Sequence, residues 1–213
     1  MKPSVDQCTT VSRIPGLGVI VMAAGLGKRM KSTQVKVLHH VAGQPMVLYA
    51  VDVALQLAGH RIAVVVGHQS DKVRHVIETG IAGRLGSKSV SIVEQAEQLG
   101  TGHAVLQSRS SFCLGDEARP TNYLILNGDT PLLKEETARE LLRAHQSQRA
   151  TVTILTAMLD DPSGYGRVIR RQSGGSHQSE ITSSDVLKIV EDRDATPVER
   201  ATKEINVGTY VVS

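Results

Sequence analysis

The chain has no tryptophan, one phenylalanine and four tyrosines, so aromatic residues make up only 2% of its 213 positions. Proteins that hold single-stranded nucleic acid stack bases on aromatic side chains, and this chain has too few rings for such a platform. Lysine and arginine number 24 against 21 acids, for a net charge of +3 and a pI of about 9.0. They are scattered along the chain rather than gathered into the basic stripe of a duplex binder, so no nucleic acid partner is expected. Cysteine is scarce too. Cys8 and Cys113 give neither a metal-binding spacing nor a disulfide framework, which fits a reduced, intracellular protein. Long apolar runs are missing. The longest, Val19–Ala24, is far short of the roughly 20 residues that cross a bilayer, so no membrane partner is expected. Residues 1–16 lack an apolar segment followed by a cleavage site, and read as a loose N-terminal extension rather than a secretory signal.

What remains is a globular composition, 40% hydrophobic and 21% charged, in a chain long enough for one ordinary domain with a large core. Apolar runs alternate with amphipathic segments. Strands are expected at Leu17–Met22, Arg61–Val66, Ser89–Val93 and Asn122–Leu126, the first a continuous apolar run bounded by glycines and the second rich in Val and Ile. Helices are expected between them. One opens at Pro45, with Val47, Leu48, Val51, Ala54, Leu55 and Ala58 on one face, and stops at Gly59. The others run from Ser70 through Ile77, from Gly100 to about Ser111, and from Pro131 to His145. This alternation predicts an α/β fold with a doubly wound, mainly parallel, Rossmann-like sheet. After Ala150 the pattern changes to strand-like stretches at Thr151–Met158, Arg167–Arg170, Val186–Val190 and Ile205–Val212. A Gly/Ser-rich loop is expected over Ser173–Ser184. These segments predict a small antiparallel extension.

The first strand runs directly into Ala23-Ala24-Gly25-Leu26-Gly27-Lys28-Arg29-Met30. Ligands of open parallel sheets bind at the carboxyl ends of strands, and glycines let a backbone offer its N–H groups to phosphate oxygens. Arg29 adds a forked cation and Lys36 a point charge. The run is neither a Rossmann fingerprint nor a Walker loop. On these residues alone a plain tight turn is an equal alternative. Similarly, Lys36 could be a solvated surface lysine, Asp129 a turn aspartate and Gln95 an ordinary loop residue.

Longer blocks decide between these. Met22–Met30, Lys36-Val37-Leu38-His39 and Gly43-Gln44-Pro45-Met46 are followed by Glu94-Gln95-Ala96-Glu97-Gln98-Leu99-Gly100-Thr101-Gly102-His103-Ala104. Asn127-Gly128-Asp129-Thr130-Pro131-Leu132, Asp160–Arg167, Ile189–Thr196 and Glu204-Ile205-Asn206-Val207-Gly208 come later, in order. From residue 17 to the end, the chain resembles the sugar-phosphate nucleotidyltransferases, or pyrophosphorylases. More narrowly it resembles the uridyltransferase domain of bacterial N-acetylglucosamine-1-phosphate uridyltransferases. The block from Gln95 to Ala104 and the closing Glu-Ile-Asn are its most specific parts.

The resemblance implies the nucleotide-diphospho-sugar transferase fold, with the antiparallel extension on the sugar side. It implies UTP and N-acetylglucosamine 1-phosphate as partners, Mg2+ as cofactor, and UDP-N-acetylglucosamine for cell-envelope precursors as product. A need for UTP places the protein in the cytoplasm, and a homo-oligomer stays open. By the same resemblance, Met22, Ala23, Ala24 and Gly25 hold the nucleotide and Arg29 and Lys36 neutralise phosphate. Gln95, Gly100 and Thr101 read the base. Asp129 binds the metal, beside Asn127 and Gly128. Gly166, Glu191 and Asn206 hold the sugar. Arg29, Lys36 and Asp129 are the expected catalytic set. His103 is expected on a helix, as a packing residue.

Three positions depart from the family's pattern. Val35 stands where proline is usual, which predicts a more mobile lysine loop. Lys28 replaces a small polar residue, and Asn127 stands where tyrosine is common. The family's later asparagine metal ligand and its β-helical acetyltransferase domain have no counterpart within residues 17–213, so a truncated transferase domain without acetyl transfer is expected. Two other readings remain open. One is a nucleotidyltransferase for another base or small phosphate, and the other is a nucleotide-binding module without catalysis.

Overall fold

The computed structural model describes residues 13–25, 27, 30, 32–58, 61–83, 90–113, 119–171 and 186–213. They fall into two compact units, the described residues of Met1–Thr153 with Val211–Ser213, and those of Ile154–Tyr210. The expected loop over Ser173–Ser184 lies outside the described residues. No described helix is long and apolar enough to cross a membrane.

In the first unit, β1 (Leu17–Ala23), β4 (Ile62–Val66), β5 (Val90–Glu94) and β6 (Asn122–Asn127) form a parallel sheet in the order β5-β4-β1-β6. All five residues of β4 are buried, as are six of the seven in β1. Burial on both faces explains why these strands read as unbroken apolar runs rather than alternations. β1 pairs with β4 on one side and with β6 on the other, so the winding reverses between β1 and β6. The expected doubly wound parallel sheet is present.

Helix α1 (Met46–Leu57) has Pro45 as its N-cap, and buries Met46, Val47, Leu48, Ala50, Val51, Val53, Ala54 and Leu57. Its burial is broader than the single stripe read from the sequence, and Leu55 is only half-buried. The expected stop, Gly59, lies outside the described residues. Helix α2 (Ser70–Ile81) runs one turn past its expected end, because Ile81 continues the buried row of Val73 and Ile77. Gly80 lets it approach α1, since a Cβ there would lie 2.5 Å from a Leu48 methyl. Helix α3 (Thr101–Gln107) tightens into a 3-10 turn at Ser108–Phe112.

Helix α4 (Glu135–Gln148) starts four residues later than expected, with Lys134 as N-cap. Thr130 explains the delay. Its carbonyl accepts from Leu133 N–H, closing a turn over Pro131. Glu135 and Glu136 then sit in the first helical turn, where carboxylates favour the helix dipole. A short hairpin, β2 (His40–Val41) and β3 (Gln44–Pro45), was not read from the sequence. Ala42 and Gly43 form its loop with φ of 49° and 84°, the doubly positive pattern of a two-residue type I′ turn.

The second unit holds most of β7 (Val152–Met158) and β10 (Glu204–Val212), with β8 (Arg167–Arg170) and β9 (Val186–Val190). β8 pairs antiparallel with β10 and with β9, and β7 also pairs β10. The expected antiparallel extension is thus formed. Arg167 is almost fully buried within it. Its guanidinium donates to Asp192 Oδ1 at 2.9 Å, to the Tyr165 carbonyl and to the Arg200 carbonyl. Helix α5 (Pro197–Arg200) carries a capping box between Thr196 and Glu199. Hydrogen bonds from Lys188 and Thr196 hold the Glu199 carboxyl down at about 2.

Candidate active site

The carboxyl ends of β1, β5 and β6 meet in the first unit. Met22 is in register with Asn127, and Val66 with Glu94. Gln95 N–H donates to the Val66 carbonyl at 2.7 Å, and Gly128 N–H to the Met22 carbonyl at 2.9 Å. A Cβ on residue 128 would lie 3.0 Å from that Met22 oxygen. Glycine there lets the chain turn tightly over the end of β1 and bring Asp129 straight to the opening.

Lys36 begins a 3-10 turn, Lys36–Leu38, anchored by buried Val37 and Leu38. Its backbone passes against Gly27, which has φ of +59°. A Cβ on Gly27 would lie 2.7 Å from the Lys36 Cβ. Both the conformation and the close approach therefore require glycine. The turn brings Lys36 Nζ within 2.8 Å of Asp129 Oδ2, with the side chains 40% and 32% exposed. Val35 is extended, with φ of −61° and ψ of 143°. That is already the φ of proline. Val35 is buried in this conformation.

These elements enclose a pocket of about 470 Å³, a volume suited to a small-molecule ligand. Of the residues expected at the site, Met22, Ala24, Gly25, Lys36, Gln95, Gly100, Thr101, Asn127 and Asp129 line it. Ala23 and Gly128 are buried beneath and do not line it. Arg29 and Lys28 lie outside the described residues. Gly27, Met30, Val37, Gln98 and Ala104 also line the pocket. Gln98 was not singled out from the sequence, although it sits inside the Gln95–Ala104 block. Its Nε2 donates to the Ala24 carbonyl at 3.0 Å and ties the β5 loop to the β1 loop.

Gln95 is nearly buried. Its Nε2 donates to the Gly100 carbonyl at 3.2 Å and lies 3.0 Å from His103 Nδ1. His103 Nε2 in turn lies 2.9 Å from the Gln107 carboxamide. His103 is on α3 as expected, but its ring is hydrogen-bonded through both nitrogens rather than simply packed.

Gly166, Glu191 and Asn206 come together in the second unit. The Gly166 carbonyl accepts from Asn206 N–H at 2.8 Å, and a Cβ on Gly166 would lie 3.4 Å from Glu191 Oε1. The Asn206 side chain donates to Tyr210 Oη at 2.7 Å and accepts from Gly208 N–H at 3.0 Å. Each end of its carboxamide has one further hydrogen-bonding position left for a ligand.

A glycine-built loop, a lysine and a carboxylate thus lie together at the reversal point of a doubly wound sheet, the place where sheets of this kind bind their ligands. Residues 19–172 match the MobA-like NTP transferase domain, and the chain belongs to that family of nucleotidyltransferases. It is 48% identical over 191 residues to Bifunctional protein GlmU of Bacillus licheniformis, covering 90% of this chain and 37% of that protein. It is 45% identical over 191 residues to Bifunctional protein GlmU of Bacillus subtilis, with the same two shares. The chain thus spans little more than a third of these relatives. Among solved structures, UDP-glucose pyrophosphorylase complexed with UDP-glucose matches with a TM-score of 0.67 at 17% identity, over 92% of this chain and 75% of that one. HddC from Yersinia pseudotuberculosis complexed with GMP-PN matches with a TM-score of 0.62 at 23% identity, over 92% and 76%. These two share the fold.

Proposed function

We propose that the chain transfers a uridylyl group from UTP to N-acetylglucosamine 1-phosphate, giving UDP-N-acetylglucosamine and pyrophosphate, in the cytoplasm and for cell-envelope precursors. The observation that carries this reading is the Lys36–Asp129 pair in a nucleotide-sized pocket at the switch point of the sheet. The relatives, each named Bifunctional protein GlmU, support it.

In the proposed reaction a phosphate oxygen of the sugar 1-phosphate attacks the α-phosphorus of UTP in line, and pyrophosphate leaves. No protein nucleophile is needed. The protein's part is to align two anions and to stabilise the charge that develops between them. Main-chain N–H groups of the Ala23–Gly25 segment would meet phosphate oxygens, and Lys36 would neutralise them, with Arg29 as a second cation. Gln95, Gly100 and Thr101 would hold the base, and Gly166, Glu191 and Asn206 the sugar.

The donor set fits a Mg2+ ion held by Asp129. No cluster of three or more acidic, histidine or cysteine ligands occurs among the described residues, and Mg2+ commonly takes one or two carboxylates and completes its shell with phosphate and water. Bound there, the cation would supply charge neutralisation on the nucleotide phosphates.

The test is pyrophosphate release from UTP, N-acetylglucosamine 1-phosphate and Mg2+. We expect release that requires the acetylated sugar and is lost in Asp129→Ala. No release with UTP under any divalent metal, while the chain remains folded, would refute the reading.

A further inference from the structure

We propose that His103 is a positioning residue that sets base preference, by fixing the Gln95 carboxamide so that only its oxygen faces the nucleotide. This inference rests on the uridine reading above. The Gly100 carbonyl can only accept, so the Gln95 atom 3.2 Å from it is the amide nitrogen. That nitrogen carries two hydrogens. The second is directed at His103 Nδ1, 3.0 Å away, which must therefore accept. His103 is then the tautomer protonated on Nε2; the Gln107 amide nitrogen is placed 2.9 Å from Nε2, so this tautomer requires the Gln107 amide to turn its oxygen to the ring.

Both Gln95 hydrogens are thus consumed inside the protein. The residue lines the pocket, and Oε1 is what it has left to offer. A carboxamide is in principle a donor and an acceptor. Here it is locked as an acceptor.

An acceptor calls for an N–H on the base. Uracil has one donor on its pairing edge, N3–H, whereas cytosine placed the same way turns its N3 lone pair toward Oε1. A site built around a fixed hydrogen-bonding group rejects the base that leaves that group unpaired. Without His103, one of the two bonds that orient the amide is lost, and Gln95 can turn its nitrogen to the base.

The experiment is calorimetric titration of UDP and of CDP into the wild-type chain, His103→Leu and His103→Asn, with a thermal melt of each. Asparagine places Oδ1 near the position of Nδ1 and can accept the same hydrogen. The wild type is expected to prefer UDP. His103→Leu should weaken UDP binding and narrow the UDP-to-CDP ratio, each by roughly fivefold to tenfold, the size of one hydrogen bond. His103→Asn should restore most of the ratio. A ratio unchanged in His103→Leu, or an equal loss for both nucleotides that His103→Asn does not rescue, overturns the inference while leaving the uridine reading intact. A wild-type chain that binds neither nucleotide removes that reading, and this inference with it.

Discussion

Gly27 is where backbone geometry and the proposed catalysis meet most directly, so Gly27→Ala is a sharp perturbation. Residue 27 sits at φ of +59°, and the new methyl would begin 2.7 Å from the Lys36 Cβ. The left-handed conformation alone costs an alanine about 1–2 kcal/mol. The contact adds to this, because carbon atoms sit at about 3.5–4.0 Å. Residue 36 must therefore retreat by roughly 1 Å, and a misplacement of about 1 Å at a reacting centre costs on the order of 100-fold in rate. Gly43→Ala is the control. It has φ of +84°, nothing within 4 Å of its would-be Cβ, and lies in the β2–β3 hairpin away from the pocket.

Both variants should lower the melting temperature by a few degrees, at about 2–4 °C per kcal/mol for a chain of this size. Only Gly27→Ala should lose about 100-fold in pyrophosphate release, with Gly43→Ala staying within about twofold. Combining Gly27→Ala with Lys36→Met should then cost little more than Lys36→Met alone, since both act through one group. If Gly27→Ala melts like Gly43→Ala and keeps the wild-type rate, the placement of Lys36 by Gly27 does not matter to turnover, and the reasoning fails.

Asp129→Asn should cut the rate by roughly 100-fold or more yet leave the melting temperature within about 2 °C, because a partly exposed ion pair contributes only about 0–1 kcal/mol. A large loss of stability would mean that Asp129 is structural. Val35→Pro should raise stability by about 0.4–1 kcal/mol in a thermal melt, because φ is already −61° and no backbone hydrogen bond among the described residues uses its N–H. A lower melting temperature would show that the ring does not fit. His145 is buried between Thr153 Oγ1 and Ser213 Oγ, both at 2.8 Å, and burial lowers its pKa below the usual 6.5. The folded state therefore favours the neutral ring. Its contribution is full above about pH 6.5 and is lost as pH falls below that, where the unfolded chain takes up the proton first. Melting temperature should drop more steeply between about pH 7 and pH 5 in the wild type than in His145→Gln, and equal slopes would remove His145 as the cause.

Strands β1 and β4 were readable because burial on both faces leaves no polar position to interrupt them, and β5 and β6 because each keeps a short apolar run despite its polar residues. The β2–β3 hairpin was not, because its loop is Val-Ala-Gly-Gln, without the Asn-Gly or Asp-Gly pair that usually marks a type I′ turn. Ala42 takes the positive φ instead. The start of α4 was misplaced because Pro131 is a favoured first helical residue, whereas here it belongs to the turn closed by Thr130 and Leu133. Helix α5 did carry a local signal, Thr196-Pro197 followed by Glu199, and was passed over inside a charged run. At the site, Lys36, Gln95 and Asp129 stood out through sequence blocks. The pairing of Lys36 with Asp129 depends on where the ends of β1 and β6 lie in space, which no local pattern encodes, and that of Gln95 with His103 on how the loop after β5 turns into α3.

The pocket combines closely packed backbone with a partly exposed ion pair. Gly128 lies against the Met22 carbonyl, and Gly67 against Ala24, where a Cβ would be 2.9 Å from the carbonyl oxygen. These contacts, with Gly27 against Lys36, bring main chain closer than a side chain fits without a shift of its neighbours. The Lys36–Asp129 pair is the opposite. Half in solvent, it is cheap to separate, whereas a buried pair would cost several kcal/mol to break. Under the proposed reaction the pair would exchange its partners, Lys36 taking a phosphate oxygen and Asp129 the cation. Other well-formed pairs, buried Arg167 with Asp192 and bidentate Arg170 with Glu204 in the second unit and Arg139 with Glu135 on α4, take no part in that exchange.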